Sequence, residues 1–253
     1  MVTRKTIKLI KSLHQKKYRY QHQLFPVEGA KSVLELLASK FTVKTLLGTK
    51  VFLRQHKNLL SQNLTDDQLL EADETTLSNL SYVKTNNAAL ALVMLPSVTL
   101  TLPVAGAYTI ALDNVRDPGN LGTIIRIADW YGIQQIVCSP ETTDAYAPKV
   151  ISASMGSFLR VQVVYTDLSS YLSAASVPVY GAALDQGINL HRQSVGSAEG
   201  VIVLGNESAG LRSEIAPWIS QYVHIPRYGR AESLNVGVAA AVICDNLIRS
   251  NAG

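Results

Sequence analysis

The chain has 253 residues, of which 47% are hydrophobic and 17% charged, so it can bury a large core and global disorder is excluded. No apolar run approaches the roughly 18 residues that cross a bilayer, and the amino end lacks an apolar signal core, which predicts a cytoplasmic protein. Cys138 and Cys244 lie far apart in apolar surroundings. We expect them to be reduced core residues, neither a disulfide nor part of a zinc site.

The net charge of +4 conceals a strongly basic amino end. Residues 1–31 carry eight bases against the single acid Glu28, whereas the rest of the chain has more acids than bases. Because lysines neutralise phosphates and aromatic rings stack on bases, this segment suits a polyanion such as RNA. A solvated amphipathic helix with Ile7, Ile10 and Leu13 packed inward explains the pattern equally well. The candidate RNA contacts in the segment are Arg4, Lys5, Lys8, Lys11, Lys16, Lys17 and Arg19.

The first hundred residues predict a small α/β unit. Hydrophobic patterning places strands over 24–28, 43–47 and 89–95, a helix over 29–39 and a polar helical stretch over 65–80. The segment 97–106 has no helical period and has prolines near its ends, which is typical of a linker. We therefore place a first domain at 1–96, a linker at 97–106 and a second domain at 107–253.

From residue 108 onward, predicted strands and helices alternate. The strands are expected over 108–112, 135–138, 160–165, 179–183, 201–204 and 222–225. The helices between and after them are expected over 118–131, 148–156, 168–175, 213–218 and 234–249. Short, almost wholly apolar strands alternating with helices are typical of a parallel sheet covered on both faces, so the fold class is α/β.

Three loops that follow predicted strands, at 112–122, 204–211 and 225–235, combine glycine, asparagine and charged residues. Ligands bind beyond the carboxyl ends of the strands in such sheets, so these loops are candidate site loops. The spacing of Gly119 and Gly122 does not fit a dinucleotide fingerprint, and Leu211-Arg212 stands where a phosphate loop needs lysine and a hydroxyl residue. The five histidines lack metal-ligand spacing and no serine lies in Gly-x-Ser-x-Gly, so neither a metal site nor a hydrolase is expected.

The predicted helix over 118–131 places Asn120, Thr123 and Arg126 on one row, spanning roughly 9 Å along its axis. Arg126 therefore points away from the apolar stripe of the helix. On spacing alone, a surface arginine paired with Asp129 is the favoured interpretation. The pair Asn206-Glu207 is equally consistent with an ordinary polar turn.

In combination, these segments indicate a family. Residues 112–126, 203–211 and 224–246 resemble, in order and spacing, the three signature motifs of the SpoU/TrmH family of RNA ribose 2′-O-methyltransferases, part of the knotted SPOUT class. Residues 19–29 resemble the entry to that family's N-terminal substrate-binding domain. The chain departs from many members at Thr85-Asn86-Asn87-Ala88, where they carry Pro-Gln-Gly, which leaves catalysis alone but weakens the transfer of RNA specificity.

The resemblance implies an enzyme that transfers a methyl group from S-adenosyl-L-methionine to a ribose 2′-hydroxyl in structured RNA, with ribosomal RNA preferred over transfer RNA. It also implies a deep trefoil knot in the second domain, with the final helix enclosed on nearly all sides, and a homodimer joined through that domain. Exposed apolar residues there could instead pack under the chain's own first domain. The alternative functions are a catalytically silent RNA-binding protein of the same fold and a knotted methyltransferase that acts on tRNA or on a base.

The resemblance also assigns residues. The implied catalytic residues are Arg126, Asn120, Glu207, Ser233 and Asn235. The implied cofactor-binding residues are Leu204, Gly205, Asn206, Ile225, Ser233 and Leu234, and Arg116 and Arg230 join the RNA contacts. Arg126 is expected to grip an RNA phosphate and lower the pKa of the hydroxyl through its charge. Asn120 would orient Arg126 or the ribose, and Glu207 would hold Arg126 or the substrate.

Overall fold

A computed structural model describes residues 2–82, 85–193 and 197–249 and divides the chain into two units. The first unit comprises Met1–Ser97 and Tyr146–Leu159, and the second comprises Val98–Ala145 and Arg160–Gly253. The sequence predicts a second domain that is continuous from residue 107, whereas the structure groups 146–159 with the first unit. The physical reason is an aromatic cluster in which the Phe25 ring lies 4.8 Å from that of Tyr146 and 6.1 Å from that of Phe158.

The first unit is a four-stranded sheet of order β1-β4-β2-β3 with helices packed on it. Strand β4 runs antiparallel to β1 and β2, and β3 runs parallel to β2. In chain order its elements are α1 (Arg4–Ser12), α2 (Lys16–His22), β1 (Leu24–Glu28), α3 (Ala30–Leu37), β2 (Val43–Gly48), α4 (Lys50–Gln55), α5 (Lys57–Asn63), β3 (Leu69–Glu71), α6 (Glu74–Leu80) and β4 (Ala89–Met94). Helix α8 (Pro148–Ser154) also belongs to this unit.

The amino end forms an amphipathic helix, as the sequence predicts. Thr3 caps α1 by accepting a hydrogen bond from the backbone N–H of Thr6. Ile10 and Leu13 are fully buried and pack with Leu77 and other leucines of the sheet and α6. Burying two such side chains contributes about 1.5–3 kcal/mol each, so α1 is part of the domain core and not an appended tail.

The prediction of a polar helix over 65–80 is wrong for the first half of that range. The chain instead makes a 3-10 turn over Asp66–Gln68 and the short strand β3, and only α6 is helical. Asp73 ends the non-helical part, because its carboxylate accepts the backbone N–H of Thr76 at 2.6 Å and caps α6. The pairing of β3 with β2 therefore overrides the local helical pattern.

The second unit contains a seven-stranded, wholly parallel sheet of order β7-β6-β5-β10-β8-β11-β9. Its elements are β5 (Tyr108–Leu112), α7 (Pro118–Trp130), β6 (Gln135–Cys138), β7 (Gln162–Tyr165), α9 (Leu168–Ser173), β8 (Val179–Ala183), β9 (Ile188–Asn189), β10 (Gly200–Leu204), β11 (Gln221–His224) and α10 (Val236–Arg249). The α/β class and the parallel sheet are confirmed.

Strand order brings the three candidate loops to one edge of this sheet. Strand β10 lies between β5 and β8, and β11 pairs with the other side of β8. Because all four strands are parallel, the segments that follow them emerge at their adjoining carboxyl ends. Helices α7 and α10 pack together where a Cβ on Gly237 would lie 3.1 Å from the Thr123 methyl group. Enclosure of the final helix on nearly all sides is not observed, because Val238 is 50% exposed.

Candidate active site

The first site loop is organised by the start of α7. Asp117 caps the helix, since its carboxylate accepts the backbone N–H of Asn120 at 3.0 Å, and Pro118 occupies the first turn. This cap holds Asn120 in the first helical turn, just beyond the carboxyl end of β5. The stripe predicted to point inward is buried, so the row that contains Asn120 faces away from the core.

A directed chain of hydrogen bonds joins all three loops. The Nδ2 of Asn235 donates to Oδ1 of Asn120 at 2.8 Å, and the Nδ2 of Asn120 donates to Oε1 of Glu207 at 2.9 Å. The Oδ1 of Asn235 meanwhile accepts the backbone N–H groups of Gly237 and Val238 at the start of α10. This cap leaves only the amide nitrogen of Asn235 for Asn120, so the orientation of both amides and the position of Glu207 are coupled.

The second loop is a closed turn, as the polar-turn interpretation expects, but it is also tied to the first loop. Asn206 and Gly210 exchange two backbone hydrogen bonds, and the Oδ1 of Asn206 accepts the backbone N–H of Ser208. The Nδ2 of Asn206 donates to the carbonyl of Asn114, which has a left-handed φ of 61°, at 2.8 Å. The same nitrogen lies 3.4 Å from Oε2 of Glu207, so both carboxylate oxygens of Glu207 have a donor.

An ion pair with a buried carboxylate, which the sequence analysis missed, connects the first loop to the residue that follows the second loop. Asp113 is fully buried, and its carboxylate accepts the Nε of Arg212 at 2.6 Å and the backbone N–H of Arg212 at 2.9 Å. An acid directly after an apolar strand is the signal that could have identified it. Arg212 also contacts Glu141, whose pKa is lowered first by a hydrogen bond from its own backbone and further by the charges of Arg212 and Arg116.

A cavity of about 590 Å³ lies beyond the carboxyl ends of β8 and β11. Three of the six residues predicted to bind the cofactor line it, namely Ile225, Ser233 and Leu234. Leu184 and Asp185, which follow β8, also line it and were missed. Their signal is spatial, because β8 neighbours β11 in the sheet although the two are distant in sequence.

The other predicted cofactor residues do not line this cavity. Leu204 is buried at the end of β10, where it pairs with Leu112 of β5. Gly205 lies against the turn, where an added Cβ would come within 2.3 Å of the Gly210 carbonyl carbon. Asn206 holds that turn closed, as described above. Their contact with a cofactor stays a prediction.

Arg126 is exposed, and it has no hydrogen-bond or ion-pair partner within the described ranges. The pairing with Asp129 favoured by the sequence is wrong, because Arg160 forms two-pronged hydrogen bonds to that carboxylate, the shortest at 2.7 Å. The predicted contacts from Asn120 and Glu207 to Arg126 are likewise absent among the described residues. Asn120 and Glu207 instead form a hydrogen bond to each other.

The predicted RNA contacts divide into exposed and buried residues. Arg19 is only 2% exposed and donates to the carbonyl of Leu13 at 2.7 Å, so it joins α2 to α1 and is not available to a polyanion. Arg230 and Arg116 are exposed, and Arg116 donates to the side chain of Asn114. The exposed members of the basic segment are Arg4, Lys5, Lys8, Lys11, Lys16 and Lys17.

The described residues contain no group of three or more histidine, cysteine or acidic side chains that could hold a metal ion. None of the helices that the structure describes is both long enough and apolar enough to span a bilayer. Burial raises the pKa of Cys244 to about 12 and that of Cys138 further still, so neither thiol is a ready nucleophile.

Comparison with known proteins adds the decisive observation, because residues 107–245, which carry all three loops, match the SpoU rRNA Methylase family. The chain belongs to that family. Residues 4–91 match the MRM3-like substrate binding domain. The family expected from the motifs is confirmed, and the match to the amino-terminal part agrees with the resemblance noted at residues 19–29.

Full-length relatives support the assignment. The chain is 33% identical over 240 residues to the 23S rRNA (guanosine(2553)-2′-O)-methyltransferase RlmP of Bacillus subtilis, covering 94% of this chain and 93% of that protein. The AdoMet-bound rRNA methyltransferase from Sinorhizobium meliloti is 30% identical, with a TM-score of 0.88 over 100% of this chain and 97% of that chain. The methyltransferase AviRb from Streptomyces viridochromogenes, at 22% identity, shares the fold, with a TM-score of 0.85 and coverage of 97% of each chain.

Proposed function

We propose that the protein transfers a methyl group from S-adenosylmethionine to a ribose 2′-hydroxyl of ribosomal RNA. The observation that carries this proposal is the hydrogen-bonded chain from Asn235 through Asn120 to Glu207, which joins the three family motifs beside a cavity. A catalytically silent RNA-binding protein would not need these polar side chains held in one orientation. RlmP, which is named as a 23S rRNA 2′-O-methyltransferase, and the AdoMet-bound rRNA methyltransferase from Sinorhizobium meliloti support the same chemistry.

The cavity suits S-adenosylmethionine in size and in chemistry. Its volume of about 590 Å³ is in the range of small-molecule sites, and Leu184, Ile225 and Leu234 offer apolar walls for an adenine ring. The carboxylates of Asp185 and Glu232 also line it and complement the positive sulfonium and ammonium groups. When bound, this cofactor supplies an electrophilic methyl group. The described residues could therefore hold it without a metal ion or a lysine.

Arg126 is the group that we assign to the acceptor hydroxyl. Its guanidinium is exposed and unpaired among the described residues, so it is available to an RNA phosphate next to the target ribose. A guanidinium keeps its charge and cannot act as a base. Its positive charge instead favours the alkoxide form of the hydroxyl, and the proton passes to phosphate or water.

Asn120 and Asn235 act as positioning residues in this scheme. Because the α10 cap fixes Asn235 and Asn235 fixes Asn120, the Glu207 carboxylate is held in place before substrate arrives. Glu207 is exposed, so it can accept a hydrogen bond from the substrate ribose. Pre-set polar groups of this kind align reacting atoms without reorganisation during the reaction.

The RNA is proposed to be large-subunit ribosomal RNA. RlmP, which matches nearly the whole chain, is named for a 23S rRNA guanosine, and the first unit matches a substrate-binding domain. The exposed lysines of α1 and α2 supply positive charge for phosphates. Base methylation is the alternative that the mass spectrometry described below distinguishes, and labelling of a tRNA transcript but not of the 23S transcript would favour transfer RNA.

Three further features belong to the same proposal. A trefoil knot in the second unit is supported by membership of the SpoU family, and the strand order β7-β6-β5-β10-β8-β11-β9 is compatible with it. A homodimer through this unit is supported by two exposed apolar side chains, Trp130 on α7 at 83% and half-exposed Val238 on α10, because a two-fold partner would bury each of them in both subunits. Bacterial rRNA methyltransferase relatives support a cytoplasmic location.

Methyl transfer from tritiated S-adenosylmethionine to an unmodified 23S rRNA transcript tests the function. The wild-type chain should label the RNA, and Arg126→Ala should reduce turnover by about 100-fold or more if Arg126 stabilises the alkoxide. Arg160→Ala is the matched control, because it removes an arginine of the same unit that pairs with Asp129. Arg126→Lys with normal turnover would contradict the assigned role, and an unlabelled transcript with the wild-type chain would contradict the function.

A further inference from the structure

An exposed tyrosine stands at the cavity that we assign to the cofactor. Tyr228 lies in the loop between β11 and α10, and its side chain lines the cavity together with Ile225 and Leu234. The loop leaves β11 at Ile225-Pro226 and reaches the α10 cap at Asn235. The loop that carries Tyr228 therefore begins and ends at elements that hold site residues.

The Tyr228 ring is 83% exposed although it is one of the larger apolar groups in the second unit. Within the described residues it makes no hydrogen bond and has no ring or cation partner. Neighbouring Gly229 has open space around its Cα, with no atom within 4 Å of an added Cβ. The ring is therefore accessible to a planar group approaching the cavity.

The charges that flank this ring in sequence are positive. Arg227 and Arg230 flank it and are exposed, whereas the acids of the cavity lining, Asp185 and Glu232, lie on the segment after β8 and further along the loop. The guanidinium of Arg227 is drawn back toward the loop by a 3.3 Å hydrogen bond to the carbonyl of Ala231. An aromatic ring between arginines is the combination that binds unpaired nucleotides, because the ring stacks on a base while the arginines neutralise phosphates.

We propose that Tyr228 is a substrate-positioning residue that stacks on an unpaired base of the RNA, at or next to the nucleotide whose ribose is methylated. The inference rests on the proposed function, since it requires a ribose to approach the methyl group in this cavity. Stacking on Tyr228 fixes the nucleotide while Arg126 and Glu207 act on its hydroxyl. The residue therefore acts mainly on substrate binding, and because it also lines the cofactor cavity, S-adenosylmethionine affinity is the control measurement.

Steady-state methyl transfer to the unmodified 23S transcript tests this with three variants of one side chain. Tyr228→Ala should raise KM for RNA by about 5- to 100-fold, the range that corresponds to the loss of one base–aromatic stack, with a smaller change in kcat. Tyr228→Phe should behave as wild type, because it keeps the ring. Tyr228→Leu should resemble Tyr228→Ala, because it restores apolar bulk without a planar face. Calorimetry of S-adenosylmethionine binding should show a smaller change than the RNA KM in Tyr228→Ala and Tyr228→Leu, although Tyr228 lines the cavity.

Each other outcome has a distinct meaning. Unchanged KM in Tyr228→Ala, with an active wild-type chain, would overturn the inference and leave the proposed function standing. Wild-type behaviour of Tyr228→Leu would overturn it as well, because apolar cover alone would then suffice. Weaker S-adenosylmethionine binding with an unchanged RNA KM would assign Tyr228 to the cofactor pocket instead. A wild-type chain that labels no RNA would refute the proposed function and the inference together.

Discussion

The dual role of Asn235 allows stability and catalysis to be separated by one substitution. Its Oδ1 caps α10 through two backbone N–H groups, and its Nδ2 orients Asn120. Asn235→Asp keeps the acceptor and adds a negative charge at the amino end of a helix, where it is favourable, so stability should stay within about 0.5 kcal/mol of wild type. Asn235→Ala removes the cap and should cost about 1 kcal/mol, or about 2–4 °C in Tm.

The catalytic effect follows from the direction of the hydrogen bonds. With aspartate at position 235, the Asn120 amide must turn its nitrogen toward residue 235, which leaves its oxygen facing Glu207. The hydrogen bond from Asn120 to Glu207, worth about 1 kcal/mol, is then lost, which corresponds to turnover about 5-fold slower, while the added charge at the start of α10 offsets this loss in stability. Thermal unfolding and methyl transfer to the 23S transcript measure the two effects. Wild-type turnover in Asn235→Asp, or equal destabilisation of both variants, would refute the reasoning.

Four further predictions follow from the described contacts. Reversing the charges of Lys8 and Lys11 on α1 should flatten the salt dependence of RNA affinity. The slope of log affinity against log salt concentration should change by about 0.7–0.9 for each phosphate contact that is lost. Reversing one exposed lysine each on α4 and α5 should leave the slope unchanged. Leu234→Arg should abolish the heat of S-adenosylmethionine binding, because Leu234 lines the cavity and a long cation would fill it. Light scattering should give about twice the chain mass of 27.4 kDa for the wild-type protein. Trp130→Glu should give the mass of the monomer. A wild-type monomer with full activity would exclude an obligate dimer. Because burial raises the folded-state pKa of Cys244 to about 12, its thiol should stay protonated and unreactive toward Ellman's reagent at pH 8 until denaturant is added. The free energy of unfolding should fall as the pH rises above the unfolded-state pKa of about 8.5, because the unfolded thiol then loses its proton while the folded one keeps it. Rapid labelling of the native protein would contradict this burial.

Elements with strong local patterns were predictable from the sequence. Strands β5, β6 and β8 begin and end at the predicted residues, since each is a short apolar run bounded by polar or glycine-rich turns. The helices α4 and α5 were missed because Lys50–Asn63 is polar and lacks a clear apolar period. Strand β3 was missed because its three residues are extended only through pairing with β2. Tertiary pairing, which no local pattern records, decides such segments.

The residues of the candidate site were predictable from the sequence, whereas their mutual contacts were not. The motif residues Asn120, Glu207 and Asn235 were identified from their combination, but their mutual hydrogen bonds depend on strand order. The Arg126–Asp129 pairing failed because Arg160, 31 residues along the chain, competes for the carboxylate. Local spacing predicts which residues face the site, and the fold decides which of them touch.

The burial of Arg19 illustrates the same limit at the amino end. In a run of basic residues its charge indicates RNA contact as strongly as that of its neighbours. In the structure its guanidinium instead donates a hydrogen bond to the carbonyl of Leu13, the residue that follows α1. Since α1 also buries Ile10 and Leu13, deleting the segment would expose the core, and charge reversal is the cleaner test of RNA binding.

The central claim is methyl transfer to a ribose hydroxyl, and mass spectrometry of nuclease-digested RNA tests it most directly. Unmodified 23S transcript is incubated with S-adenosylmethionine and the wild-type chain, and in parallel with Arg126→Ala. We predict a nucleoside methylated on its ribose in the wild-type digest and its near absence with Arg126→Ala. A methyl group on the base, or no methylated nucleoside in either digest, would contradict the account.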